Sequence, residues 1–169
     1  ITSSLPPEKQ FGETWMTHLP DFSSVSWTSQ PDKSRPGASA TRSSQWGDGN
    51  VTVRVGDFHF RVSHGSFFQT NRHLLGQMID TAVGKCRGER ALDLYAGVGF
   101  FTLPLARSFD HVVAVESHPA ASLDLQANAG VAFSKVYPYG ATAESFVASR
   151  ACRQNWDLVL VEPRRHGLA

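Results

Sequence analysis

At 169 residues, 41% of them hydrophobic and 18% charged, the chain suits one globular domain with an appendage and lacks the composition of a disordered segment. No apolar run approaches the ~18 residues that a membrane-spanning helix needs, and no basic start with an apolar stretch behind it marks a signal peptide. A net charge of +1 neither selects nor excludes a nucleic-acid partner, because binding depends on where the basic residues cluster.

The first residue is Ile1, which predicts a processed chain or an internal piece of a longer protein. Residues 1–50 are rich in Ser, Thr, Pro and Gly, which interrupt regular structure. A disordered tail has nothing to bury tryptophan against, yet Trp15, Trp27 and Trp46 all fall here. The segment is therefore expected to be irregular but packed, with a short strand near Val25–Ser29. Val51–Val55 and Phe58–Ser63 alternate around Gly56-Asp57, a hairpin pattern in which the turn needs a positive φ. The period then changes. Leu74, Leu75, Met78, Ile79, Ala82 and Val83 share one face of a helix, with Asn71 as N-cap and Gly84 as stop.

From Ala91 onward strands and helices alternate. Strands are predicted at Ala91–Tyr95, His111–Glu116, Lys135–Tyr139 and Asp157–Val161, and helices near Phe101–Phe109, Ala120–Ala129 and Ala143–Cys152. Such alternation implies an α/β fold with a parallel sheet and right-handed crossovers. The strands are apolar runs, as expected when both faces are covered. Residues 1–63 are expected to form a strand-rich segment ending in the hairpin, and 64–169 the α/β core.

The stretch Asp93-Leu94-Tyr95-Ala96-Gly97-Val98-Gly99 follows the first of these strands and opens a helix. Glycines there let backbone N–H groups approach a ligand, although a tight strand-to-helix turn would account for them equally. A dinucleotide fingerprint would place a third glycine where Thr102 stands. Glu116 ends the next strand 17 residues beyond Gly99, where a carboxylate can accept both ribose hydroxyls; the alternative is a solvated strand end. An acid ahead of the glycines, Asp93, suits a site for S-adenosylmethionine, whose methionyl end carries an amino group and a carboxylate rather than a pyrophosphate.

Phe67-Phe68-Gln69-Thr70-Asn71, the Asp93–Gly99 loop, Val115-Glu116 and Glu162-Pro163-Arg164-Arg165-His166-Gly167 occur in the order found in RNA (uracil-5-)-methyltransferases. The chain resembles that family well over about residues 50–169 and loosely over 10–50, and Phe-Phe-Gln-x-Asn is the most specific of the motifs. The resemblance implies a Rossmann-like class I methyltransferase sheet, of whose seven strands this chain supplies the first four, with a small strand-rich segment ahead of it. It implies S-adenosylmethionine as cofactor, ribosomal or transfer RNA as substrate, and methyl transfer to carbon 5 of uridine. It places Gln69 against the cofactor, Tyr95 before the loop of Gly97 and Gly99, Glu116 on the ribose, Thr142 near the adenine, and Glu162 at the acid of an Asp-Pro-Pro-Arg motif. The residues alone leave Gln69 as a helix cap and Tyr95 as core. Three departures stand out: Glu162 for the usual Asp, Arg164 for the second Pro, and Phe100 where some relatives carry a polar residue.

In the family, a cysteine thiolate adds to carbon 6 of the uracil and a glutamate removes the proton from carbon 5. Both lie beyond the Asp-Pro-Pro-Arg motif, so no catalytic residue is expected within these 169 residues, and the chain alone is expected to be inactive. Cys86 and Cys152 read as ordinary buried thiols, without metal-ligand spacing, in a reduced cytoplasmic setting; the seven scattered histidines add no metal set. Strand 157–161 would leave an unpaired edge, which raises self-association. Two other readings stay open. A different S-adenosylmethionine-dependent methyltransferase would be favoured if no cysteine follows the Glu162–Arg165 segment in the full protein. A non-catalytic RNA- or partner-binding module would be favoured if Ala169 is the natural end.

Overall fold

The computed structural model describes residues 11–18, 23–29, 42–132 and 134–163. The chain divides into two compact units, Ile1–Val51 and Thr52–Ala169. In the first, helix α1 (Phe11–His18) precedes strands β1 (Ser24–Ser29) and β2 (Arg42–Gly47). The two strands pair antiparallel, with Val25 opposite Trp46 and Trp27 opposite Ser44. Trp27 is buried, and the Trp46 indole lies so close to Gly12 that a Cβ there would stand 1.7 Å from it. Of the three tryptophans expected to be packed, Trp27 is buried and Trp46 half-buried, whereas Trp15 is 38% exposed. Helix α1 was not foreseen: its turns carry side-chain bonds from Thr17 to the Glu13 carbonyl and between His18 and the Thr14 carbonyl, in a stretch whose composition reads as loop.

The second unit carries the candidate site. Strands β3 (Asn50–Val55) and β4 (Phe58–Ser63) form the expected hairpin around Gly56, whose φ is 57°. Phe60, fully buried, joins the core under the α/β sheet, so the compact units part at Val51/Thr52 rather than after the hairpin. Helix α2 (Leu75–Ala82) buries Leu75 and Ile79. It starts later than expected: Asn71 does not cap it. The Asn71 side chain accepts from the His73 N–H and its carbonyl from Leu74, which spends it on the turn ahead of the helix.

There follow β5 (Gly88–Leu94), α3 (Thr102–Leu105), β6 (Phe109–Val115), α4 (Pro119–Ala132), β7 (Val136–Tyr139), α5 (Ala143–Ala148) and β8 (Leu158–Val161). The four strands run parallel in the order β7-β6-β5-β8, with Ala91 opposite both Val112 and Leu158, and Val113 opposite Tyr137. Alternate residues serve two cores. Ala91, Val112, Ala114 and Val136 face the cluster holding Phe60, Leu103 and Leu125; Leu92, Leu94, Val113 and Val115 face Phe146 of α5. Burial on both faces is why the central strands β5 and β6 read as unbroken apolar runs, whereas the outer strands β7 and β8 leave one face partly exposed. Pro138, which cannot donate to a ladder, sits in edge strand β7.

Two predicted helices are shorter than expected. The stretch 101–109 keeps only α3, of four residues, and Phe109 is drawn into β6 opposite Gly88. Ala143–Cys152 breaks at Ser149 into α5 and a 3-10 turn at Arg150–Cys152. Beyond β8 no further strand pairs among the described residues, and Val159 and Val161 remain 48% and 42% exposed. Among those residues no helix is long and apolar enough to cross a membrane.

Candidate functional site

Parallel strands place all their carboxyl ends along one edge, and open α/β sheets hold ligands in the crevice there. The loops that leave β5, β6, β7 and β8 carry Tyr95, Glu116, Thr142 and Glu162 respectively, so four residues singled out in the sequence emerge on this edge. A fifth, Gln69, arrives from outside the sheet.

The loop after β5 is wound tightly, with Tyr95 at φ 62°, Gly97 at 57° and Gly99 at 94°. For a tyrosine this left-handed conformation costs on the order of 1–3 kcal/mol and persists only where surroundings impose it. The Tyr95 hydroxyl donates to Glu144 Oε1 at 2.6 Å, and its ring packs on the core beneath α5. A Cβ at Gly97 would meet nothing within 4 Å, so the loop surface is open there, whereas one at Gly99 would lie 3.0 Å from Leu125 Cδ1 of α4. One glycine thus leaves room for a ligand and the other lets the loop seat on the protein.

Glu116, 6% exposed, closes this loop. Its Oε2 accepts from the Gly97 N–H at 2.9 Å and its Oε1 from the His118 N–H at 2.6 Å. Each oxygen keeps a free lone pair for a ligand hydroxyl. The solvated strand end is therefore not what the geometry shows. Under the loop, Asp93 is 1% exposed and accepts from Thr102 Oγ1 at 2.6 Å, so the residue in place of a third glycine serves as a hydrogen-bond donor. Burial raises the Asp93 carboxyl to about 7; the Thr102 bond opposes this and the negative charges of Glu162 and Glu116 add to it. The bond between Tyr95 and Glu144 holds the Glu144 carboxyl below its ordinary range and pushes the phenol up.

Phe68 packs against Phe60 and Phe100, at centroid distances of 5.7 and 5.5 Å. The next residue, Gln69, donates through Nε2 to Glu162 Oε1 at 2.7 Å, joining positions 93 residues apart. Gln69 is no helix cap, and Phe100, a departure from the family pattern, is a core residue that bridges hairpin and loop. Thr142 caps α5, its Oγ1 accepting from the Ser145 N–H at 3.1 Å, and lies on the side of Tyr95 and Glu144 rather than of Gln69. Because α3 has only four residues, the glycine loop opens no helix long enough to lend a dipole. Arg164, Arg165 and Gly167 lie outside the described residues.

Sequence reasoning missed Glu144, Asp124 and Asn128. The first follows the Thr142 cap, where an acid is routine. The others are polar residues four apart on α4 that are buried, at 0% and 7% exposure, a pattern the apolar periodicity conceals. The two cysteines are free and half-buried rather than buried. Cys86 precedes β5 and Cys152 precedes β8, so both belong to the amino edge of the sheet, opposite the site. Among the described residues no group of three or more His, Cys, Asp or Glu is placed to hold a metal ion.

Comparison with known proteins bears on this arrangement. The sequence profile of the tRNA (uracil-5-)-methyltransferase family matches residues 43–136. A 23S rRNA (uracil(1939)-C(5))-methyltransferase of Shewanella piezotolerans is 35% identical over 115 residues, 66% of this chain and 26% of that protein. A 23S rRNA (uracil(747)-C(5))-methyltransferase of Pyrococcus furiosus is 29% identical over 171 residues, 99% of this chain and 39% of that protein. The crystal structure of Pyrococcus abyssi tRNA (uracil-54, C5)-methyltransferase in complex with S-adenosyl-L-homocysteine superposes with a TM-score of 0.65 at 25% identity, covering 99% of this chain and 40% of the other. The chain thus spans between 26% and 39% of the length of these two curated relatives. The sheet with its glycine loop is a methyltransferase fold, and the chain belongs to the tRNA (uracil-5-)-methyltransferase family.

Proposed function

We propose that this chain is the S-adenosylmethionine-binding part of an enzyme that methylates carbon 5 of uridine in ribosomal or transfer RNA. The observation that carries the reading is the convergence at one sheet edge of Gln69 bonded to Glu162 and Gly97 bonded to Glu116. The residues fit the cofactor on two counts. Gly97 leaves open space on the loop, and the carboxylates of Glu116, bonded to the Gly97 N–H, and of Glu162, on the loop after β8, stand at the same sheet edge, where a ligand with a sulfonium and an ammonium would need negative charge. When bound, the cofactor supplies an electrophilic methyl group.

In this reading Gly97 and Gly99 shape the loop and Glu116 holds the ribose hydroxyls. Tyr95 and Thr142 border the adenine end, and Gln69 with Glu162 fixes the far side. Cys86 and Cys152 take no part, because they stand at the opposite edge of the sheet. The nucleophile and the base that the family uses are to be sought in the rest of the protein, and two free thiols accord with a reducing, cytoplasmic setting. The test is to incubate the whole protein with methyl-labelled S-adenosylmethionine and uridine-containing RNA, then digest the RNA to nucleosides. Label in 5-methyluridine is expected. Label in another nucleoside, or none, would overturn the assignment.

A further inference from the structure

We propose that Asp124 is a positioning residue: from the middle of α4 it builds the turn that delivers Gln69 to the sheet edge. Asp124 is fully buried. Its Oδ2 accepts from the Ser63 N–H at 2.7 Å and from Ser66 Oγ at 2.7 Å, and its Oδ1 accepts from Ser63 Oγ at 2.6 Å. Arg61 Nε stands 3.6 Å from Oδ1. A carboxylate, which only accepts, satisfies three donors of one short segment at once; no neutral side chain of that size does so.

The segment is the exit from β4. The Ser66 N–H bonds back to the Ser63 carbonyl at 3.0 Å, and Gly65 between them has a φ of 84°. This turn sends Phe68 into the aromatic cluster and Gln69 toward Glu162. One helical turn past Asp124, Asn128 repeats the device. Its Oδ1 accepts from the Arg61 N–H at 2.8 Å, while Nδ2 donates to the Arg61 carbonyl at 3.1 Å and to the Val98 carbonyl of the glycine loop at 2.8 Å. Helix α4 therefore clamps β4 to the loop with backbone-directed bonds, and Asp124 sets the direction in which the chain leaves the clamp. The rival explanation is that Phe68, by packing alone, places Gln69.

The turn's role is separable from cofactor binding, and only the latter consequence rests on the function proposed above. In the full chain, Asp124→Asn substitutes a donor for one acceptor facing the serines. Ser66→Ala removes a single bond beyond the strand and serves if the first variant does not fold. Nuclear magnetic resonance then reads solvent exchange of the Gln69 side-chain amide. Exchange about tenfold faster, with β5 and β6 backbone amides unchanged, is expected. An unchanged Gln69 amide would overturn the proposal in favour of Phe68 packing. Titration with S-adenosylmethionine adds the functional arm. Asp124→Asn should weaken affinity about fivefold or more in the parent and by less than about twofold in a Gln69→Ala background. Equal losses in both backgrounds would refute action through Gln69. A released amide with unaltered affinity would keep Asp124 as the positioning residue and remove Gln69 from the cofactor site.

Discussion

Replacing Asp93 by Asn should stabilise the protein in a pH-dependent way. The Asp93 carboxyl is raised from 3.8 to about 7, chiefly by burial. A native pKa above the unfolded one means that the folded protein binds the proton more tightly. The stabilisation from that proton is fully present below about pH 4 and is lost as pH rises through about 7. Across that interval the loss amounts to roughly 4 kcal/mol, at 1.36 kcal/mol for each tenfold change in proton affinity. Asparagine keeps a carbonyl to accept the Thr102 hydroxyl, at 2.6 Å in the parent, and has no charge to bury. Its own amide adds an offset that does not vary with pH. Urea unfolding of both proteins between pH 5 and 8.5 measures the difference, in which other titrating groups largely cancel. Asp93→Asn should gain on the parent as pH rises to about 7 and then level off. A difference that stays flat over the window would refute the raised pKa of the buried Asp93.

Phe60→Ala should cost roughly 3–5 kcal/mol, because Phe60 is fully buried among Phe58, Phe68 and Phe100; a loss under about 1 kcal/mol in denaturant titration would detach the hairpin from the core. The outer edge of β8 is proposed to take a further strand, from a second copy or from the rest of the protein. In the first case Val159→Lys should yield monomer in sedimentation, and in the second a longer chain should unfold with a larger m-value. A cooperative monomer of these 169 residues, no less stable than a longer chain, would contradict both. These 169 residues alone are expected to leave uridine-containing RNA unmethylated, since neither cysteine reaches the site edge; methyl transfer by them would force Cys86 or Cys152 into the chemistry.

Periodicity and punctuation made the sheet legible. The β3–β4 hairpin and all four parallel strands lie where their apolar runs and turns place them, because burial on one or both faces is written directly into residue order. What periodicity cannot carry is competition between neighbours. The stretch 101–109 looks helical, yet Phe109 pairs opposite Gly88 in the sheet and the helix keeps only Thr102–Leu105. Asn71 looks like a cap and instead closes a turn. At the site, Gly97, Gly99 and Glu116 were readable from spacing. The bonds that define them were not: Gly97 to Glu116, Gln69 to Glu162 and Tyr95 to Glu144 span 19, 93 and 49 residues. Asp124 and Asn128 were hidden for the same reason, since a buried polar residue on a helix declares itself only when its distant partners are in view.

The central claim is that the Gly97–Gly99 loop and Glu116 hold S-adenosylmethionine, and calorimetric titration of the whole protein against Glu116→Ala tests it most directly. Removing the carboxylate takes away charge-assisted hydrogen bonds to the ribose and the bond that closes the loop onto the Gly97 N–H at 2.9 Å. The affinity should fall by on the order of 1.5–3 kcal/mol, about ten- to 150-fold, with the fold intact by circular dichroism. Equal affinity for parent and variant would contradict the account.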